Sequence, residues 1–225
     1  MAIEEPQFRD FMKKIFIESG VDYDKWVNLL TNSQKEKIEE YTHFYYFICE
    51  SETREEFRLI GMNSLIETLM QEVEFKDVFN YFESEYKDTN IIKDYQNFKK
   101  EYLEKFGAAK KIKEYFRKYI TEEDQKDLFS NVEVFKGNKD DVNGKYAPLE
   151  NVDQFASFLY QMRSEFVHQA KMCNFCPSHC EAAVMEVGDK YYFTDLNINS
   201  IMKIFERSYV KYWIDKFKSE HISPN

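Results

Sequence analysis

Apolar residues recur at helical spacing along most of the chain, with polar residues between them. Phe8, Phe11, Met12, Ile15 and Phe16 follow Pro6 as the stripe of an amphipathic helix whose first turn accepts proline. Gly20 ends that helix, and Asp24 is positioned to cap a short one carrying Trp26, Leu29 and Leu30. Ser33 with Glu36 reads as a capping box ahead of a stripe formed by Ile38, Tyr41, Phe44, Tyr45 and Ile48. Thr53 with Glu56 repeats the start signal before Phe57, Ile60, Leu65, Leu69 and Val73. The charged, aromatic stretch 75–103 reads as two helices broken near 88–90. Residues 108–120 form another, and Thr121 with Asp124 starts a short one.

The periodicity then changes. Phe135–Pro148 is rich in Gly, Asn and Asp and lacks a helical stripe, so it reads as a loop and a candidate boundary. Residues 151–169 return to a strong helix, with Phe155, Phe158, Leu159, Met162 and Phe166 on one face. After a cysteine-rich loop, AAVMEVGDKYYFTD alternates as a β-hairpin turning at Gly188–Asp189. A last helix over about 197–219 carries Ile201, Ile204, Phe205, Tyr209, Tyr212, Trp213 and Phe217. The predicted fold is mainly α: a helical bundle with a small β-hairpin and a Cys-rich loop before the last helix.

Composition sharpens this picture. Only 6 Gly and 4 Pro leave room for long helices, and 21 Phe with 16 Tyr must fill a core or an interface. A formal net charge of −10 disfavours nonspecific nucleic-acid binding by the bulk surface, so any RNA contact needs a local basic patch. No apolar run approaches the length of a membrane span, and MAIEEPQFRDFMKK lacks the features of a signal peptide. The expectation is a cytoplasmic protein without membrane contact, its 4 Cys serving as thiols or metal ligands.

The most informative string is Arg163-Ser164-Glu165-Phe166-Val167-His168, at the end of the helix FASFLYQMRSEFVHQAK. It resembles the HEPN signature, an Arg followed by four to six residues and a His, in the RSxxVH form of Apea-like HEPN proteins. The resemblance covers about 151–219 directly, with the helices of 33–73 supplying the first half of the bundle. It implies an N-terminal helical extension over 1–32 and a HEPN-like domain over 33–225, with inserted helices at about 75–135 and a loop at about 135–150. It also implies a homodimer and metal-independent endoribonuclease chemistry, with no cofactor for catalysis. His168 would handle the proton of the attacking 2′-hydroxyl or the leaving 5′-oxygen. Arg163 would hold the scissile phosphate. Ser164 stands where active members carry a polar residue. Read from the residues alone, Arg163 is a surface ion-pair residue and His168 a helix C-terminal cation favoured by the dipole.

Cys173, Cys176, His179 and Cys180 lie within eight residues, dense enough to offer soft ligands to one ion. A structural zinc site completed by His179, Cys49 or another residue, an iron–sulfur cluster, and free thiols all stay open. Lys110, Lys111, Lys113 and Arg117 form the marked basic patch. They are either an RNA-binding surface, with Tyr115 or Phe116 to stack bases, or a solvated helix face paired with acidic neighbours. His43, Tyr45 and Tyr46 either line a pocket or pack in the core.

The functional expectation is a HEPN-type endoribonuclease acting on RNA, in a defence or toxin–antitoxin setting with an antitoxin or regulatory protein as partner. The alternatives are a noncatalytic HEPN module that binds a nucleotide, RNA or protein, and a helical scaffold with a structural zinc loop.

Overall fold

A computed structural model describes residues 5–50, 55–74, 91–136, 144–169, 183–187, 190–194 and 198–222. The elements run α1 (Glu5–Glu18), α2 (Tyr23–Val27), α3 (Asn32–Glu50), α4 (Glu55–Glu74), α5 (Ile91–Phe106), α6 (Ala108–Tyr119) and α7 (Glu122–Asn131), then β1 (Val132–Lys136), β2 (Lys145–Pro148), α8 (Val152–Gln169), β3 (Ala183–Val187), β4 (Lys190–Thr194) and α9 (Ile198–Ile222). The fold is mainly α with a small antiparallel sheet, as the hydrophobic pattern predicts. Among the described residues, no helix is long and apolar enough to cross a membrane.

Local chemistry accounts for the helix ends. Gly20 adopts φ +78°. Its N–H donates to the Ile17 carbonyl at 2.9 Å, and the Val21 N–H donates to the Phe16 carbonyl at 2.9 Å. This paired closure needs the left-handed residue that glycine supplies without strain. At α7, Thr121 Oγ1 accepts the Asp124 N–H at 3.0 Å, the start that the sequence indicates.

Two other caps sit earlier than the sequence suggests. Asp22, not Asp24, caps α2 by accepting the Lys25 N–H at 3.1 Å. Thr31 and Gln34 form the reciprocal box at α3 (3.0 and 3.3 Å) instead of Ser33 and Glu36. Both starts contain two overlapping capping patterns, and the chain uses the earlier one in each. Thr53 lies outside the described residues. The helical stripes also shift at their edges. Phe44 and Phe57 are exposed at 45% and 39%, whereas Tyr46, Met62 and Ile66 are buried.

The segment Phe135–Pro148, read above as a loop, instead begins and ends in strands. The sheet order is β2-β1-β4-β3, with Phe135 opposite Tyr146 and Val134 opposite Tyr192. β1 pairs with β2 on one side and with β4, far along the chain, on the other, and its five residues gave too short a local signal. The expected hairpin forms as β3 and β4. Val132, Val134 and Tyr192 turn inward, and Tyr192 meets Phe158 of α8 at 4.7 Å between ring centroids.

α9 is the central element. Ile201, Ile204, Phe205, Ser208, Tyr209, Tyr212, Trp213 and Phe217 are buried along it. It packs against α1, α4 and α6, while α4, α6 and α8 pack on one another. Much of the core is tyrosine, and its hydroxyls are paired. Thr42 and Tyr209 hydroxyls lie 3.0 Å apart. Tyr45 donates to Glu206 at 2.9 Å, and Tyr212 donates to the Leu69 carbonyl at 3.1 Å. Desolvation pushes the Tyr45, Tyr115 and Tyr209 phenols above their ordinary range, so they stay neutral.

The Thr42–Tyr209 pair gives a direct test of this core. Tyr209→Phe should destabilise the fold by about 1–2 kcal/mol, because Thr42 is left buried without its partner. Combining it with Thr42→Val should recover most of that loss in urea unfolding. A double variant as weak as the sum of both singles would remove the pair from the account.

Candidate anion-binding site around Arg163

The join between α5 and α6 places the first component of the site. Gly107 precedes α6 in an extended conformation, and a Cβ there would lie 2.4 Å from the Leu103 carbonyl oxygen. Only a residue without a side chain allows the two helices to meet so closely. The turn that follows directs Lys111 inward, on the same buried face as Ile112, Tyr115, Phe116 and Tyr119. Lys111 is 9% exposed, an unusual place for an ammonium group.

α4 and α8 supply the rest through two successive rungs. Asn63 and Glu67 are one helical turn apart on α4, and Leu159 and Arg163 are one turn apart on α8. In the first rung the Asn63 amide donates to the Leu159 carbonyl at 3.2 Å. In the second, Arg163 Nη2 donates to Glu67 Oε2 at 3.3 Å, and Nε stands 3.2 Å from Oε1. The Nε contact does not have hydrogen-bonding alignment, so a buried donor and a buried acceptor face each other unsatisfied. The pair is loose by the standard of a bidentate fork.

Its electrostatics follow from burial. The two side chains are 21% and 19% exposed. Desolvation raises the Glu67 carboxyl above the usual range, although Arg163 and Lys111 both pull it down. Desolvation lowers the Lys111 ammonium, against the pull of Glu67. One carboxylate thus faces two cations at the solvent edge of the bundle.

The structure places the other sequence candidates as follows. Ser164 follows Arg163 on α8 and is partly buried. His168 lies in the last turn of α8, and its side chain is outside the described residues. Cys173, Cys176, His179 and Cys180 also lie outside them. Cys49 is partly buried and is not in a disulfide.

The basic residues of α6 do not act as one open surface. Lys111 faces the interior. Lys110 pairs with Glu114 at 2.8 Å. Arg117 bridges Glu114 and Asp153, with Nε donating to Asp153 Oδ1 at 2.7 Å. These bonds hold both carboxyls below their ordinary values. Lys113 borders a small cavity of about 200 Å³ with Asp153 and Tyr192. Tyr115 and Phe116 are buried and offer no stacking face.

Tyr45 and Tyr46 belong to the core. His43 stacks on Phe8, ring centroids 3.5 Å apart, at the rim of a cavity of about 700 Å³ between α1, α2 and α3. A further ion pair, Asp124 with Arg207, is structural: Asp124 is 1% exposed and accepts from Arg207 Nε at 2.9 Å and Thr121 Oγ1 at 2.7 Å.

Sequence reasoning missed Glu67. Its signal was an acidic residue among Leu65, Ile66, Leu69 and Met70, all of which are buried.

A double-mutant cycle on Glu67→Gln and Arg163→Met should return a coupling of about 1 kcal/mol or more in urea unfolding, as for half-buried charge pairs in contact. A coupling near zero would mean that proximity alone joins them. No protein-family model, no curated protein and no solved structure matches this chain.

Proposed function

We propose that the protein is a HEPN-type, metal-independent endoribonuclease that cuts RNA through Arg163 and His168 at the interface of a homodimer. The observation that carries this reading is the Arg163 guanidinium, held at a solvent edge in a cation-rich cluster on the helix that bears the RSxxVH string. A guanidinium in a partly desolvated site suits a phosphodiester whose charge grows in the transition state. His168 supplies an imidazole that can take and return a proton near neutral pH.

The helical geometry favours a two-copy site. α8 is helical through Gln169. Five residues of α-helix turn by about 500°, so Arg163 and His168 leave the axis about 140° apart. A phosphate held by Arg163 of one copy and approached by His168 of a second satisfies both groups. On this reading Lys110, Lys113 and Arg117 add charge beside the RNA backbone only by exchanging their present carboxylate partners.

The engagement of Arg163 by Glu67 favours a second reading, a noncatalytic HEPN module that binds a nucleotide or RNA. The cysteine cluster fits a structural zinc site on either reading, because a closed set of thiolates leaves no open position for catalysis.

Incubating the purified chain with RNA in excess EDTA separates the two readings. The nuclease reading expects fragments ending in 2′,3′-cyclic phosphate. Arg163→Ala and His168→Ala should each lower the rate by about 100-fold or more, the usual contribution of a charge clamp or a general acid–base group. Binding without cleavage by the parent chain selects the noncatalytic reading. Elemental analysis should find close to one zinc per chain, and less than half an equivalent would rule out the structural site.

A further inference from the structure

We propose that the cavity between α1, α2 and α3 is a binding site for a small zwitterion of the amino-acid class: a free amino acid or a dipeptide with an aromatic or aliphatic side chain. None of these three helices carries Arg163 or Glu67, so the inference stands apart from the nuclease reading.

Three features of the cavity converge on that ligand. The first is its charge pattern. α1 brings Arg9 and Asp10 to the lining, and α3 brings Lys35 and Glu39, one helical turn apart. Each of these two walls thus carries one cation and one carboxylate. Among the described residues, none of the four side chains makes an ion pair or a hydrogen bond. Nearby charges of the same kinds do pair, as Lys13 with Asp24 at 2.8 Å. A simple anion entering the cavity would meet two carboxylates, and a simple cation would meet an ammonium and a guanidinium. A molecule carrying both charges answers both signs at once.

The second feature is a buried hydroxyl. Tyr23 is 6% exposed and lines the same cavity. Its O–H donates to the Met12 sulfur at 3.8 Å, and a thioether is a weak acceptor. Tyr45, Tyr209 and Tyr212, also buried, all reach oxygen at 2.9, 3.0 and 3.1 Å. Burial raises the Tyr23 phenol, so its proton stays in place. A carboxylate oxygen of the ligand is the acceptor that this hydroxyl lacks.

The third feature is an apolar side. Phe8 and His43 stack with ring centroids 3.5 Å apart and planes 10° from parallel. Phe8, Met12 and Val27 line the cavity beside them. Methionine adapts its shape to irregular apolar partners. The volume of about 700 Å³ falls within the range of about 300–1,000 Å³ usual for small-molecule sites. It admits a dipeptide, or an amino acid with its bridging water.

Each part of the ligand then has a counterpart. Arg9, Lys35 and the Tyr23 hydroxyl take the carboxylate. Asp10 and Glu39 take the ammonium. The side chain lies along Phe8, Met12 and Val27.

The test is titration calorimetry of the full chain with L-phenylalanine and with glycyl-phenylalanine. At least one should bind saturably, with a dissociation constant of about 1 mM or tighter. Phenylalaninamide lacks the carboxylate and 3-phenylpropionate lacks the ammonium. Each should bind about tenfold more weakly than L-phenylalanine, the usual effect of losing a hydrogen bond to a charged group. Absence of saturable binding by both zwitterions overturns the proposal. Equal binding by either singly charged analogue overturns it as well.

Variants then locate the ligand. Arg9 and Glu39 are exposed, so Arg9→Gln and Glu39→Gln leave the core intact. Each should weaken binding by about tenfold. Tyr23→Phe should weaken it by about threefold or more, while the urea midpoint stays close to that of the parent, because only a contact to sulfur is lost. Affinity that is indifferent to both Arg9→Gln and Glu39→Gln places the ligand elsewhere and removes this site.

Discussion

The structure depends on burying tyrosine without stranding its hydroxyl. Tyr45, Tyr115, Tyr209 and Tyr212 are fully enclosed around the last helix, each with ring contacts to a neighbouring aromatic. An unpaired phenol there would cost most of what burying its ring gains. The available partners lie on other helices: Thr42 on α3, the Leu69 carbonyl on α4, and Ser208 on α9, whose hydroxyl is 3.1 Å from that of Tyr115 on α6. Each bond is short-ranged and directional. Together they set the register of α9 against three helices more tightly than ring packing alone could.

That register also sets the site. α4 is held to α9 through Leu69 and to α8 through Asn63, so Glu67, which lies between those two residues on α4, has little freedom to move along the helix axis. α6 is held to α9 through Tyr115, one turn beyond Lys111. Three charged side chains are thus placed by a polar scaffold that is itself nearly all satisfied. The same desolvation that keeps the phenols neutral raises the Glu67 carboxyl and lowers the Lys111 ammonium.

Elements whose information is local were legible in the chain. Phe155, Phe158, Leu159 and Met162 share one helical face and are all buried, as their spacing requires. Gly20 ends α1 because glycine adopts the left-handed conformation that the closure demands. β3 and β4 pair as the period-two alternation of this one short segment indicates. Where two local signals compete, as at Thr31–Gln34 and Ser33–Glu36, spacing does not choose between them.

Sequence alone determined that this chain folds as long helices with one late β-hairpin, since period, caps and breakers act over a few residues. It singled out Arg163 but said nothing of what Arg163 touches. Only the tertiary structure decided that Glu67, almost a hundred positions earlier, is the partner, and that Lys111 turns inward while Lys110 and Arg117 pair at the surface. It likewise decided that Val132–Lys136 is a strand, held between β2 and β4. Contacts between distant residues depend on how whole helices pack, and that packing is a sum over the entire core with no counterpart in any single stretch of sequence.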